Sequence, residues 1–126
     1  MDITALIEAI ATGDRPAVQT LIDRGADVNQ GDEDGWTALM EAAGSGNLEL
    51  TELLIGAGAE VNASNTDGIT PLMVAAARGA TELVTLLVEK GADLNGKDKN
   101  SWTALVWASS EKQMDVVALI RQLRDR

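Results

Sequence analysis

Carboxylates are the side chains in this sequence whose spacing could suggest chemistry, because cysteine and histidine are both absent. Asp32 and Asp34 could form a carboxylate pair or open a calcium loop, but the glutamate needed at position 12 of that loop falls on Ala43. Gly56 and Gly58 lack the third glycine and the strand of a dinucleotide loop. Thiol nucleophiles, histidine bases and Cys/His zinc sites cannot be built. We therefore predict that the chain is not an enzyme and holds no metal or cofactor.

Length and charge narrow the class of protein further. The 126 residues suffice for one domain, and 45% of them are hydrophobic, which predicts a folded core. Twenty acidic against ten basic residues give a net charge of −10, and such a field repels nucleic acid and anionic membranes. The first residues lack the positive region of a secretory signal, and no apolar run could span a membrane. These features predict a soluble, cytoplasmic chain that binds neither nucleic acid nor membrane.

An internal repeat with a period of 33 residues sets the elements that would position any site. A Gly-Ala-Asp-Val-Asn block begins at Gly25 and returns, with small changes, at Gly58 and Gly91. Threonine, leucine and alanine follow the same register, at Thr4, Thr37, Thr70 and Thr103, at Leu6, Leu39, Leu72 and Leu105, and at Ala9, Ala42, Ala75 and Ala108. The predicted units run approximately over 1–34, 35–67, 68–100 and 101–126.

Each unit is expected to contain two short helices and a loop. Thr70 can act as the N-cap of the first helix, and Pro71 suits the first helical position. The second, leucine-rich helix should end near Gly58, where a left-handed residue fits. Helices this short are marginal alone, so their stability should come from stacking between units. The polar stretch 64–68 predicts a tight turn. The side chains expected to stabilise the loops are Asn29, Asn62 and Asn95.

The units resemble ankyrin repeats. The motif that carries the resemblance reads Asn65-Thr66-Asp67-Gly68-Ile69-Thr70-Pro71-Leu72-Met73-Val74-Ala75-Ala76, and the Gly-Ala-Asp-Val-Asn block follows the second helix. The resemblance implies an all-α ankyrin-repeat solenoid of four helix-turn-helix units with hairpin-like finger loops, forming a single domain over residues 1–126. The family's histidine after leucine is replaced by Ile7, Met40, Met73 or Val106, so we expect slightly looser fingers on the same fold.

The last unit departs from the pattern in the way that an end cap should. The second-helix position held by Ile22, Ile55 and Val88 becomes Arg121, and the glycine position becomes Arg124. No further repeat would cover this face, so it must tolerate water.

The resemblance also implies a partner-binding surface on the concave side, formed by the fingers and the first helices. Trp36, Ile69 and Trp102 would form a row of anchors there, because exposed large apolar side chains mark binding sites and tryptophan dominates their energetics. Val74 and Trp107 interrupt an otherwise polar row on the first helices. The expected partner-binding residues are Glu33, Asp34, Trp36, Glu41, Ser45, Thr66, Ile69, Val74, Arg78, Lys99, Trp102, Trp107 and Glu111.

Charge suggests the kind of partner. Nine acids and no base lie between Arg24 and Arg78, with an Asp-Glu-Asp run beside Trp36. An acidic rim around an aromatic anchor predicts a protein partner with a basic segment. The alternative is a surface kept acidic for solubility.

Other interpretations of the same residues stay open. Each tryptophan could cover the core instead, and Trp107 could shield the last unit. We expect a monomeric protein–protein interaction module. The alternatives are a structural spacer or self-associating scaffold, natural or engineered, with no dedicated external ligand, and an enzyme that works with carboxylates alone.

Overall fold

The computed structural model describes residues 3–126, which form eight helices and, outside them, one isolated β-bridge between Gly31 and Thr37. The helices are α1 (Ile3–Ala11), α2 (Arg15–Asp23), α3 (Ala38–Ser45), α4 (Leu48–Gly56), α5 (Pro71–Arg78), α6 (Thr81–Glu89), α7 (Ala104–Ser110) and α8 (Met114–Arg124). The chain is thus an all-α solenoid of helix pairs, as the repeat predicted.

Threonine caps define where three of the first helices begin. The hydroxyl of Thr37 accepts the backbone N–H of Met40 at 3.3 Å, and Thr70 and Thr103 cap α5 and α7 in the same way. Each cap satisfies one of the N–H groups that have no partner within the helix. The prediction of an N-cap at Thr70 is confirmed.

The second helices are capped less uniformly. Asp14 and Asn47 cap α2 and α4 through their side chains, whereas Ala80 and Gln113 precede α6 and α8 without a capping hydrogen bond. A glycine with positive φ follows α2, α4 and α6, as predicted. These glycines are Gly25 (φ 92°), Gly58 (φ 98°) and Gly91 (φ 99°).

The first helices stack in one continuous row, since α1 packs on α3, α3 on α5 and α5 on α7. Each also packs against the second helix of its own unit, while α4 contacts α6 and α6 contacts α8. Small residues allow the close approach in the first row, because Ala42, Ala75 and Ala108 are fully buried there. Leucines fill the space between the rows, and this space is the core.

The loops are tied to one another by asparagine side chains. The amide of Asn29 donates to Gly58 O at 2.9 Å and accepts from Glu60 N at 2.7 Å. Asn62 makes the same pair of bonds to Gly91 O and Asp93 N in the next repeat, at 2.9 and 2.8 Å. The predicted loop-stabilising role of these two asparagines is confirmed, and it acts between repeats.

The C-terminal end of the array exposes apolar surface. Val106 is 39% exposed and Met114 is 56% exposed. A hollow of about 460 Å³ opens on this face, lined by Trp102, Leu105, Val106, Ser109, Ser110, Val117 and Arg121. Arg121 is exposed here, as the end-cap pattern predicted.

Candidate functional site

Four of the predicted binding residues line one apolar hollow of about 230 Å³, together with two others. We call it the tryptophan hollow, and its lining residues are Trp36, Ile69, Met73, Val74, Ala77 and Trp107. The side chains come from three successive units and are all apolar except for the two indole N–H groups. The hollow therefore offers hydrocarbon and aromatic surface to anything that enters it.

The fold explains why these residues meet. Trp36 and Ile69 end the finger loops, immediately before the threonine caps of α3 and α5. Val74 lies one turn into α5, and Trp107 occupies the equivalent position on α7. Because α5 packs directly on α7, the two side chains face the same space.

An aspartate or asparagine side chain fixes the shape of each finger. Asp32 Oδ1 accepts the backbone N–H groups of Asp34 and Trp36, both at 2.9 Å. Asn65 and Asp98 make the equivalent pairs of bonds in the next two fingers. The Asp32 carboxylate therefore stabilises the turn of its finger. Within residues 3–126, no cluster of acidic side chains has the arrangement to hold a metal ion.

Carboxylates also hold the two indole rings of the hollow. Trp36 Nε1 donates to Glu41 Oε1 at 3.1 Å, and Trp107 Nε1 donates to Asp98 Oδ2 at 2.9 Å. A hydrogen bond to a charged acceptor is stronger than one between neutral groups. Both rings are thus held in place within the folded chain.

Asp98 is an acidic side chain of this site that the sequence pattern did not single out. It is only 7% exposed. Burial alone would raise the pKa of Asp98, but the N–H groups of Trp102, Asn100 and Trp107, with the charge of Lys99, hold that pKa below 3.8. Its register with Asp32 and Asn65 at intervals of 33 residues could have revealed its role.

The predicted finger row is divided between two surfaces. Trp36 and Ile69 share the tryptophan hollow, whereas Trp102 lines the hollow on the C-terminal face. The Trp102 ring packs edge-on against Trp107, with centroids 4.9 Å apart and an angle of 68° between the planes. Trp102 thus supports the wall of the tryptophan hollow from outside.

The predicted finger-tip residues connect neighbouring fingers through their backbones. Thr66 N donates to Asp34 O at 2.9 Å, and Lys99 N donates to Asp67 O at the same distance. Lys99 Nζ also forms an ion pair with Asp67 Oδ1 at 2.6 Å. The hydrogen bond and the charge of Asp67 raise the pKa of Lys99 above 10.5. Glu33 and Asp34 have exposed side chains.

The remaining predicted residues lie along the first helices. Glu41 and Ser45 are half-buried on α3, and Glu111 is exposed just after α7. Arg78, at the end of α5, donates from Nη1 to Gly44 O at 2.7 Å and so links two repeats. None of these residues lines the tryptophan hollow.

Two lining residues were not predicted as site residues. Met73 stands where the ankyrin motif has histidine, and it is buried at the base of α5. Ala77 follows Met73 by one helical turn and Val74 by three residues. Helical spacing from Met73 and Val74 to Ala77 was the available signal.

Comparison with known proteins agrees with this architecture. A family model described as ankyrin repeats (3 copies) matches residues 1–65 and residues 39–124. The chain therefore belongs to the ankyrin-repeat family, whose members generally mediate protein–protein interactions and are typically not catalytic. A comparison with curated proteins finds no significant match. Among the described residues, no helix has the length and apolar character needed to cross a membrane.

Proposed function

We propose that this chain is a cytoplasmic, non-catalytic binding module that holds a protein partner on its finger and first-helix surface. The tryptophan hollow is the observation that carries the proposal. Its lining side chains are half-buried, apart from the buried Met73, and leave a patch of apolar surface open in one place. Such a patch is typical of binding sites, and a tryptophan at its edge can supply a large part of the binding energy. Trp36, Ile69, Val74 and Trp107 bring that surface together at the centre of the array.

Rigidity supports the same proposal. The backbone of Trp36 is held by Asp32 and its ring by Glu41, while Trp107 is held by Asp98. A partner would therefore meet side chains that are already ordered, and little conformational entropy would be lost at the surface on binding.

Charge supports a partner that is basic near the contact. Among the predicted site residues, Lys99 is paired with Asp67 and Arg78 is bonded to Gly44 O. Glu33 and Asp34 form no salt bridge within residues 3–126. Arg78 keeps its positive charge, because a backbone carbonyl does not neutralise it, but the predicted site also contains Glu33, Asp34, Glu41 and Glu111. This excess of negative charge on the finger and first-helix surface would steer a basic segment toward it.

A second candidate function is that of a self-associating scaffold. The exposed Val106 and Met114 and the hollow beside Trp102 favour it, because apolar surface of this kind also suits contact between copies. Sedimentation velocity over a range of concentrations distinguishes the two. The binding module stays monomeric, and the scaffold gains mass with concentration.

The proposed function is tested by affinity capture with three versions of the protein. Parent, Trp36→Ala and Leu86→Ala proteins are used at equal concentrations, after circular dichroism has shown that each is folded. Leu86 is a matched control because it is half-buried on α6 and lines a different groove.

Captured proteins are then quantified by mass spectrometry. We expect a set of proteins that the parent and Leu86→Ala forms retain equally and that Trp36→Ala loses. Equal capture by Trp36→Ala and the parent would place the partner on another surface. A Trp36→Ala protein whose urea midpoint falls while its capture stays close to that of the parent would assign the ring to the core.

A further inference from the structure

The indole nitrogens of the tryptophan hollow have no hydrogen bond left to give. Trp36 Nε1 is bonded to Glu41, and Trp107 Nε1 is bonded to Asp98. An indole nitrogen carries a single proton and accepts no hydrogen bond. A polar group entering the hollow would lose its water and find no partner there, which costs free energy.

The size of the hollow is the second observation. Pockets that bind small molecules usually enclose about 300–1,000 Å³, and the tryptophan hollow measures only about 230 Å³. The space suits a single side chain. Ile69, Met73, Val74 and Ala77 are all aliphatic, so the walls between the two rings match an apolar side chain.

The charges around the hollow are the third observation. Glu41 does not line it, but its carboxylate lies against the indole nitrogen of Trp36. From residue 25 to residue 77 the chain contains nine acids and no base, and the next residue, Arg78, is a base beside the hollow, with its guanidinium on Gly44 O. A cation bound beside the apolar side chain would face this field, whereas a cation inside the hollow would lose its water against Ile69, Met73, Val74 and Ala77, with only the two indole rings to attract it.

On the basis of the proposed function, we infer that the tryptophan hollow takes one apolar side chain from a peptide segment that carries lysine or arginine next to that side chain. The apolar side chain is buried in the hollow, and the negative charge at Glu41 attracts the neighbouring cation. The hydrogen-bonded indoles make the hollow select against polar side chains.

The test begins with a random peptide library displayed on phage and selected against the immobilised parent protein. We expect enriched peptides to share leucine, isoleucine, methionine or phenylalanine at one position, with lysine or arginine within a few residues. The best peptide is then synthesised with a fluorophore, and its Kd is measured by polarisation. Alanine at the anchor position should weaken binding about tenfold or more.

Variants of the protein locate the anchor. Ala77→Leu fills the hollow and should weaken the peptide about tenfold or more, without changing the weaker Kd of the alanine-anchor peptide. Ala57→Leu makes the same substitution at an exposed position after α4 and should have no effect. Val74→Ala enlarges the hollow and should shift the preferred anchor toward a larger side chain, which keeps the test decisive if Ala77→Leu does not fold.

The neighbouring cation is tested with Glu41→Gln. Glutamine removes the charge but keeps an oxygen that can accept the indole N–H of Trp36. The variant should weaken the basic peptide and leave a peptide with methionine in place of the lysine or arginine unchanged. Equal loss for both peptides would overturn the assignment of Glu41.

Each remaining outcome separates this inference from the proposed function. Enriched peptides that need Trp36 but share no apolar anchor overturn the inference and leave the binding surface in place. Lysine as the preferred anchor also overturns it, because the rings would then hold a cation. Peptides that bind Trp36→Ala and Ala77→Leu as well as the parent overturn the inference, because the hollow then takes no part in binding them, and the capture experiment still decides the proposed function. If no peptide is enriched, the inference fails, and the capture experiment still decides the proposed function.

Discussion

At the scale of single residues, asparagines at the same repeat position have different roles, depending on whether the loop of another repeat follows. Asn62 bonds to Gly91 O and Asp93 N of the following repeat. Asn95 holds the same place in the sequence repeat, but no further loop lies beyond it among the described residues. The repeat in sequence predicted three equivalent asparagines, and the structure distinguishes the first two from the last.

This difference gives the first prediction. Asn62→Ala removes two hydrogen bonds between repeats and should lower the free energy of unfolding by about 1–2 kcal/mol. Asn95→Ala is the matched control and should change it by less than about 0.5 kcal/mol. Urea denaturation followed by circular dichroism measures both. Equal losses for the two variants would show that asparagine acts within its own loop.

Asp98 gives the second prediction, which concerns pH. Its pKa is lower in the folded protein than the ordinary value of 3.8, so the folded state binds its proton less readily than the unfolded state. The stability that Asp98 contributes is therefore complete above its unfolded pKa and is lost as the pH falls through the lower folded value. The urea midpoint of the parent should exceed that of Asp98→Asn by most above about pH 5, and the gap should narrow below about pH 4.

A second variant separates this effect from a loss of packing. Trp107→Phe keeps an aromatic ring but removes the indole N–H that helps to lower the pKa of Asp98. It should lose part of the same pH dependence. A gap between parent and Asp98→Asn that stays constant from pH 7 to pH 3 would contradict the role of the charge.

At the scale of helices and loops, the sequence predicted the local features well but did not predict how side chains of the last finger and helix contact one another. Threonine caps and glycines with positive φ depend on a few neighbouring residues, so the spacing in the sequence was enough to place them. The ring of Trp102 turns toward Trp107 instead of joining Trp36, and a repeat pattern cannot show that because it assumes equal orientations. Partner binding by the predicted site residues stays a prediction.

Two glycines at the end of α4 give the third prediction. Gly56 is the last residue of the helix, and Gly58 has a φ of 98°; a Cβ added to either meets no atom within 4 Å. Steric room is therefore equal, and backbone conformation alone differs. Gly58→Ala should destabilise by about 1–2 kcal/mol, and Gly56→Ala should stabilise by about 0.5–1 kcal/mol. Thermal and urea unfolding of both variants measures this, and shifts of the same sign would refute the assigned helix end.

At the scale of the whole molecule, the continuous row of α1, α3, α5 and α7 makes every inner unit depend on its neighbours. Burial shows the consequence. Leu39 and Leu72 are fully buried in the inner units, whereas their equivalent Leu105 in the last unit is only half-buried. The site belongs to this scale as well, because the tryptophan hollow needs residues from three units at once.

The net charge of −10 gives the last prediction, because the acids are unevenly distributed along the stack. Residues 25–77 carry nine acids and no base, and salt at about 0.1 M screens charges separated by more than about 10 Å. Screening should relieve repulsion between these units. It also weakens the exposed pairs Arg15–Glu49 and Lys99–Asp67, but such pairs contribute only about 0–1 kcal/mol each. The urea midpoint should therefore rise with NaCl.

A triple variant checks the cause of that rise. Glu33→Gln, Glu52→Gln and Glu60→Gln together remove three of the nine charges without touching either ion pair. The variant should have a higher midpoint than the parent at low salt and should gain less from added NaCl. A parent midpoint that falls with NaCl would mean that the ion pairs outweigh the repulsion. The nine acids would then not destabilise the fold by repulsion, and their charge could serve solubility or a basic partner without lowering stability.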